Sequence, residues 1–248
     1  MIEPGFIIQL VTFIAVVLFF NYREKRTPGF EVNRRRDLLI NIAAMAMVII
    51  FGEYVKPLVR VGYDSVNLGG AMHGNRFSQL PEAVKILLGI VLTDFSLYWV
   101  HRAIHHPLLW RTHMFHHSIP EIWWLAGSRT SLLHLLLFAI PQVFIGNYLL
   151  HLTPLGTGIA FSLGIFVNLW IHTNLWVDLG PLEPFLVTPN YHRIHHGGKG
   201  LSSRNMGFVL TVWDRLFGTY LSPAEKGNDF PIVPVPVEKQ LLRMMIGV

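Results

Sequence analysis

The 248-residue sequence contains no cysteine. That excludes disulfides, iron–sulfur clusters and thiolate zinc sites, and it removes cysteine usage as a guide to redox compartment. Charge is scarce as well: Asp, Glu, Lys and Arg make up 14% of the chain, against roughly a quarter in soluble domains. A soluble domain of this length needs a charged surface. The shortage, together with 52% hydrophobic residues, therefore points to an integral membrane protein. The net charge of +5 does not imply a nucleic-acid partner, because the basic residues are not interleaved with aromatics along one polar face. Internal repeats and low-complexity tracts are absent from the sequence.

What is present first is a series of apolar runs. Residues 6–20, "FIIQLVTFIAVVLFF", have no basic residue ahead of them and no small-residue cleavage site behind, so they read as a retained first span rather than a signal peptide. Residues 21–37 hold six Lys/Arg in a short loop, which the positive-inside rule places in the cytoplasm. A second run, 38–51, extends at most to Val55 and is short for a span. Residues 56–82 read as a loop. Further runs occupy 83–100, 132–150 (interrupted by Pro141) and 158–176, with a turn at "HLTPLGTG" between the last two. Counting crossings from a cytoplasmic 21–37 loop brings residues 101–117, His172 and residues 192–196 to the same face of the membrane.

Those three stretches carry the histidines. "HRAIHHPLLWRTHMFHHS", residues 101–118, holds six of the chain's 13. His101 and His105 are four apart and share a helix face, as do His113, His116 and His117 at i, i+3 and i+4. "YHRIHH" repeats that spacing with His192, His195 and His196, and His172 closes the fifth run. Imidazole is a good ligand for transition metals. One tetrahedral zinc takes about four ligands, so nine donors suit two ions of higher coordination number. All-nitrogen ligation disfavours magnesium and calcium and suits iron, zinc, copper or nickel. A zinc pair would serve hydrolysis and an iron pair oxygen activation, and residue types alone do not choose between them.

The plainer use of these histidines is interfacial, or in a basic loop against anionic headgroups, but such a loop draws mainly on Lys and Arg. Three groups at ligand spacing on one side favour metal, given the cost of idle ionisable residues near a bilayer. His134 and His151 lack a partner at i±3 or i±4 and read as structural, with His151 at the far interface. His73 reads as solvated. His106 points about a quarter-turn away from His105 on a helix and is left open.

"DFSLYWVHRAIHHPLLWRTHMFHHS" and "TPNYHRIHHG" resemble the sterol desaturase / fatty acid hydroxylase superfamily of membrane di-iron oxygenases. Its boxes, H-x3-H, H-x2-HH and H-x2-HH, occur here in order. "WIHTNLWVDLGPLEPFLVTPNYHRIHHG" is similar to the branch that includes alkylglycerol monooxygenase, and "WDRLFGTY" matches a further signature of the family. The similarity covers about residues 85–222. Two departures stand out: Asn174, where that branch carries Glu, and Met206, where many members have Tyr. The resemblance implies two iron ions held by the boxes, O2 as co-substrate, and hydroxylation or desaturation of a C–H bond in a sterol, fatty acyl or ether lipid. It also implies a separate electron-transfer protein, since no cytochrome b5-like or rubredoxin-like domain is visible. Asn174, replacing a Glu beside the boxes, becomes a candidate site residue.

Several other residues have a functional and a plainer reading. Asp94, Tyr98 and His101 fall on one helical stripe. An intramembrane carboxylate is a functional candidate, and Asp94 is expected to accept the free N–H of a ligand histidine; its plainer use is helix packing. Tyr98 reads as an interface aromatic, Trp110, Trp123 and Trp124 as an aromatic belt, and Arg102, Arg111 and Arg193 as snorkelling side chains. Asn168, four residues before His172, suits a place beside that histidine or a helix–helix hydrogen bond, Asp214 a local pair or cap, and Pro189 the start of the helix carrying His192.

The expected fold class is an all-α integral membrane protein, with four to five apolar helices capped by a cytoplasmic, helical, histidine-rich metal domain. Residues 1–82 are expected to form N-terminal membrane segments, 83–222 the catalytic domain and 223–248 a tail. A compact chain without a retention tail fits a bacterial inner membrane. Two other functions remain open from the residues: a dinuclear zinc hydrolase, and a catalytically silent lipid-binding protein.

Overall fold

A computed structural model describes residues 4–198, 200–223, 232–237 and 240–248. Among these the chain is nearly all helical, and β-structure is confined to two isolated bridges, Leu186 with Leu210 and Gly197 with Ile232. The long helices are α1 (Pro4–Arg26), α2 (Leu38–Ser65), α4 (Glu82–Ile104), α6 (Leu132–Val143) and α7 (Pro154–Ile171). Short helices fill the connections: α3 (Leu68–Met72), α5 (Trp110–His113), α8 (Pro189–His195), α9 (Val212–Leu216) and α10 (Leu241–Ile246). Among the described residues four helices are long and apolar enough to cross a membrane, namely α2, α4, α7 and the continuous Leu132–Leu149 stretch that begins with α6.

The helices pack through apolar stripes. α1 lies along α7, with buried Phe20 against Phe166 and Trp170 at ring separations of 5.7 and 6.1 Å. α2 lies along α6, where Val59, Ala139 and Val143 form a buried cluster. At the end remote from the histidines, Lys85 pairs with Glu82 at 2.7 Å and donates to the His151 carbonyl at 3.0 Å. Glu82 also accepts from the Thr153 backbone and hydroxyl. His151 thus sits at the far end, and His73 is exposed.

Two helices extend beyond the bounds read from the sequence, and a third changes form along its length. α2 continues through Pro57 to Ser65 instead of ending by Val55. Lys56, Arg60 and Asp64 interrupt the apolar run but recur every fourth residue, so one helical face takes them all. On that face Lys56 lies over Phe161, and Tyr148 donates to the Asp64 carboxylate and the Arg60 carbonyl. α7 starts at Pro154, inside the expected turn, because Thr153 caps it by accepting from Gly156 N and Pro154 fits the first helical position. After Pro141 the sixth helix widens into a π-helical turn over Phe144–Leu149, a rare form that occurs mostly as single turns continuous with α-helices.

The 27–37 segment folds back over the histidine end. The Gly29 N–H donates to the Asn174 carbonyl at 2.9 Å. A Cβ on Gly29 would lie 2.7 Å from Trp176 N, so only glycine permits this approach. Arg34 pairs with the buried Glu24 at 3.0 Å, and Glu24 accepts from the backbone N–H groups of Trp124 and Asn174. Two sequence expectations change here. Trp123 is buried in a core with Ile119, Ile122 and Leu125, not in a belt. Tyr98 is fully buried, with its hydroxyl 2.8 Å from the Thr219 hydroxyl, because the C-terminal half of α4 is covered by residues 206–220.

Candidate metal centre

Each histidine is placed by a helix end. The last turn of α4 carries His101, with His105 as its C-cap. His113 ends α5, and His116 and His117 occupy the following 3-10 turn. His172 caps the C-terminus of α7. α8, opened by Pro189 and capped by Thr188, presents His192 and His195 with His196 just beyond. These ends meet at one end of the bundle.

Two sets of four result: His101, His105, His113 and His195, and His116, His172, His192 and His196. Within each set one nitrogen per ring lies within 4.8 Å of every other. His117 stands between them, its Nε2 3.1 Å from that of His195 and its ring 4.7 Å from the His196 ring. All nine expected histidines therefore gather in one place. His106 does not join them; it is exposed, and its Nδ1 accepts from the Leu108 N–H.

The outward nitrogens fix the tautomers. Nδ1–H of His101 donates to the Met206 carbonyl, that of His116 to Arg129, that of His172 to Asn168 and that of His195 to Arg204, at 2.7–3.1 Å. A carbonyl only accepts, so each of these Nδ1 atoms holds the ring's proton and each Nε2 turns inward with a bare lone pair. His116 and His172 then bring two bare Nε2 atoms to 3.2 Å. Two acceptors at that distance repel unless a cation lies beside both. The buried Nε2 of His105 has no hydrogen-bond partner, and an unpaired polar atom out of water carries a cost that metal ligation would remove.

Burial, and then repulsion from neighbouring imidazoles, push His113, His116, His117, His192 and His196 well below the ordinary imidazole range. Burial and the His101 ring do the same to His195. His172 falls to about 4, mainly through burial. The rings are thus neutral near pH 7, the state that metal ligation needs. The donor set fits two transition-metal ions and offers no carboxylate in either set.

Two carboxylates support the frame. Asp214 accepts from the N–H groups of Met206 and Gly207, and from the hydroxyls of Tyr191 and Thr219, at 2.6–2.8 Å. It therefore fixes the Met206 carbonyl that His101 uses, a wider role than a local cap. Asp94 was expected to accept from a ligand histidine, and it does not. Its oxygens accept from Val209 N, Leu210 N and Trp213 Nε1 at 2.8–3.0 Å, because residues 207–213 fold across α4 and occupy its acceptors first. Asn174 also lies away from the rings. Its side chain accepts from Phe30 N and donates to Phe30 O, lining a cleft of about 600 Å³ with Glu24, Lys25 and Arg34. Asn168 serves His172 through its carbonyl, not its side chain. Among the arginines, Arg111 is exposed, Arg102 donates to the Tyr98 hydroxyl, and Arg193 lies over the Phe30 ring.

Sequence reasoning missed two residues. Arg129 is fully buried, and its guanidinium donates to Asn41 Oδ1, Ser118 O and Asp37. The available signal was its isolation, since it is the only Asp, Glu, Lys or Arg between residues 122 and 150. His134, expected to be structural because no histidine stands at i±3 or i±4, has its Nδ1 3.0 Å from that of His113. No local spacing foretells that contact, because the two residues sit on different helices.

An ornithine lipid hydroxylase, OlsE, of Rhizobium tropici is 36% identical over 154 residues, covering 58% of this chain and 44% of that protein. Human alkylglycerol monooxygenase is 33% identical over 135 residues, 54% of this chain and 30% of its own. Human lathosterol oxidase is 27% identical over 220 residues, 86% of this chain and 70% of its own. The chain thus spans less than half the length of the first two. No solved structure matches it. The model of the fatty acid hydroxylase family matches residues 86–219, a stretch that takes in every histidine of both sets, and the chain belongs to that family.

Proposed function

We propose that this protein is a membrane oxidoreductase that uses O2 to hydroxylate or desaturate a C–H bond of a lipid, with two iron ions held by the histidine sets. The observation that carries this reading is the inward convergence of bare Nε2 atoms whose outward N–H groups are already committed to carbonyls. The relatives named above act as a lipid hydroxylase, a monooxygenase and a sterol oxidase, which supports iron and O2 over a hydrolytic zinc pair.

His101, His105, His113 and His195 would hold one ion, and His116, His172, His192 and His196 the other, with His117 within reach of the first. When bound, the ions supply O2 activation and electron transfer. The remaining work belongs to the protein. Backbone carbonyls of Met206, Arg129, Asn168 and Arg204 hold the rings in one tautomer and orientation. Asp214 and Asp94 hold the 206–213 segment that contributes the first of those carbonyls. Burial of the rings keeps water from the reacting region. In hydroxylation one oxygen atom enters the C–H bond and the other leaves as water, with two electrons and two protons supplied from outside the chain.

The same reading assigns the catalytic unit to residues 83–222, the electrons to a separate redox protein, and the histidine end to the cytoplasmic side, where the six basic residues of 21–37 favour retention. The substrate is a membrane lipid that reaches the centre from the bilayer. The test is anaerobic purification with metal analysis, followed by mass spectrometry of lipid products formed under 18O2. Two equivalents of iron and one 18O per hydroxylated product are expected. Label entering from water with zinc bound would indicate a hydrolase. Metal without oxygen consumption, across lipids and reductants, would indicate a silent binding protein.

A further inference from the structure

We infer that His134 is a positioning residue of the metal centre: it accepts the Nδ1–H of His113 and so sets that ligand's orientation and basicity. The inference rests on the two-metal reading above and deepens it. His113 Nε2 points into its set, 3.0 Å from Nε2 of His101. With Nε2 committed inward, the proton of neutral His113 resides on Nδ1, which lies 3.0 Å from Nδ1 of His134. His134 must therefore present a lone pair at Nδ1 and carry its own proton on Nε2.

The pair is built rather than incidental. His134 is buried in the first turn of α6. Ser131 caps that turn by accepting from the His134 N–H at 3.1 Å, and its hydroxyl donates to the Thr112 carbonyl at 2.6 Å. One serine thus ties the start of α6 to the residue before His113 and fixes the separation of the two rings. Phe138, one turn along, packs on the His134 ring at a centroid distance of 4.2 Å. Four other ligands donate to main-chain carbonyls, which no substitution removes. His113 donates to a side chain. An imidazole nitrogen is a stronger base than a peptide oxygen, so it draws the Nδ1 proton more strongly and makes His113 Nε2 the better donor.

The experiment compares full-length wild type, His134→Leu and His134→Gln, stripped of metal in detergent and titrated with Co2+ under equilibrium dialysis and visible absorption. Leucine fills space without an acceptor; glutamine restores an acceptor oxygen. Wild type is expected to bind two ions. His134→Leu should bind one ion normally and the other about 10–100-fold more weakly, the usual cost of losing an outer hydrogen-bond partner of a ligand, with altered absorption bands for that ion alone. His134→Gln should recover most of the loss. Unchanged affinity and bands in His134→Leu would overturn the assignment, and so would equal loss of both ions in both variants, which is the mark of simple packing. Wild type binding fewer than two ions would overturn the two-metal reading and this assignment with it.

Discussion

Arg129 and His116 are joined twice over: the Arg129 carbonyl accepts the His116 Nδ1–H at 3.1 Å, while the Arg129 guanidinium donates to Ser118, two residues beyond that histidine, at 2.8 Å. The same guanidinium reaches Asn41 and Asp37 at the start of α2. One side chain therefore links the second helix to the His116–Ser118 turn. Arg129→Met removes those donors and leaves the Asn41 and Ser118 acceptors buried and unpaired. The expected cost is roughly 3–5 kcal/mol, the range for breaking a buried charged network, measured by denaturant titration in detergent. The metal ion next to His116 should be lost more readily than its neighbour.

The repulsive approach of His116 and His172 gives a prediction about metal itself. Without a cation the two Nε2 lone pairs face each other at 3.2 Å, so the loaded fold should be the more stable one. Adding Fe2+ or Co2+ to stripped protein is expected to raise Tm with concentration, as any ligand of the native state does. His172→Ala should bind one ion instead of two and lose turnover. A Tm indifferent to metal would count against both sets.

Acid should loosen the centre, and the sign follows from burial. An unfolded histidine titrates near about 6.5, whereas these rings are held well below that range and His172 at about 4. Between those values the unfolded chain binds protons that the folded cluster refuses, so stability is present above about pH 6.5 and lost as pH falls toward 4. Melting of stripped protein from pH 7.5 to 4.5 should show a continuous decline, with little change above 7. Protons compete with metal in the same direction, so metal release should set in below pH 6.5.

Eight of the nine clustered histidines were legible in the sequence because each box is a local pattern: residues three and four apart on a helix end share a face, whereas His172 stood out by closing an apolar run. The same locality explains what was hidden. Asp94 and Val209 are 115 positions apart, and His113 and His134 lie on separate helices. Nothing in the spacing of either pair announces the contact. The far half of α2 was hidden for another reason, since Lys56, Arg60 and Asp64 lower the local hydropathy although they fall on one face with partners on neighbouring helices. Three of the four membrane-capable helices, α4, Leu132–Leu149 and α7, by contrast, followed from composition and run length, whereas the run at 6–20 lies in α1, which is not among the four.

Asp94 offers a test of the revised role. Asp94→Asn keeps an acceptor for one backbone N–H but sets an NH2 against the remaining donors, so a loss of about 1–3 kcal/mol is expected. Because Asp94 holds Val209, Leu210 and Trp213, the change should raise hydrogen exchange across residues 206–213. A ligand-linked Asp94 would instead alter the absorption bands of bound Co2+ with that segment still protected.

Asn174 poses the converse question, since the resemblance seen in the sequence leads to a Glu being expected at this position. Here the side-chain amide both donates to and accepts from the Phe30 backbone, and the Asn174 backbone N–H donates to Glu24 at 2.7 Å. Asn174→Glu replaces the donor with an acceptor, so Phe30 O loses its partner and a second carboxylate enters beside Glu24. The expected result is a loss of about 1–3 kcal/mol and faster proteolysis of the 27–37 segment, with both metal ions retained. If the variant is instead as stable as wild type and the spectrum of bound Co2+ changes, the longer carboxylate has turned inward, and position 174 contributes to the metal environment after all.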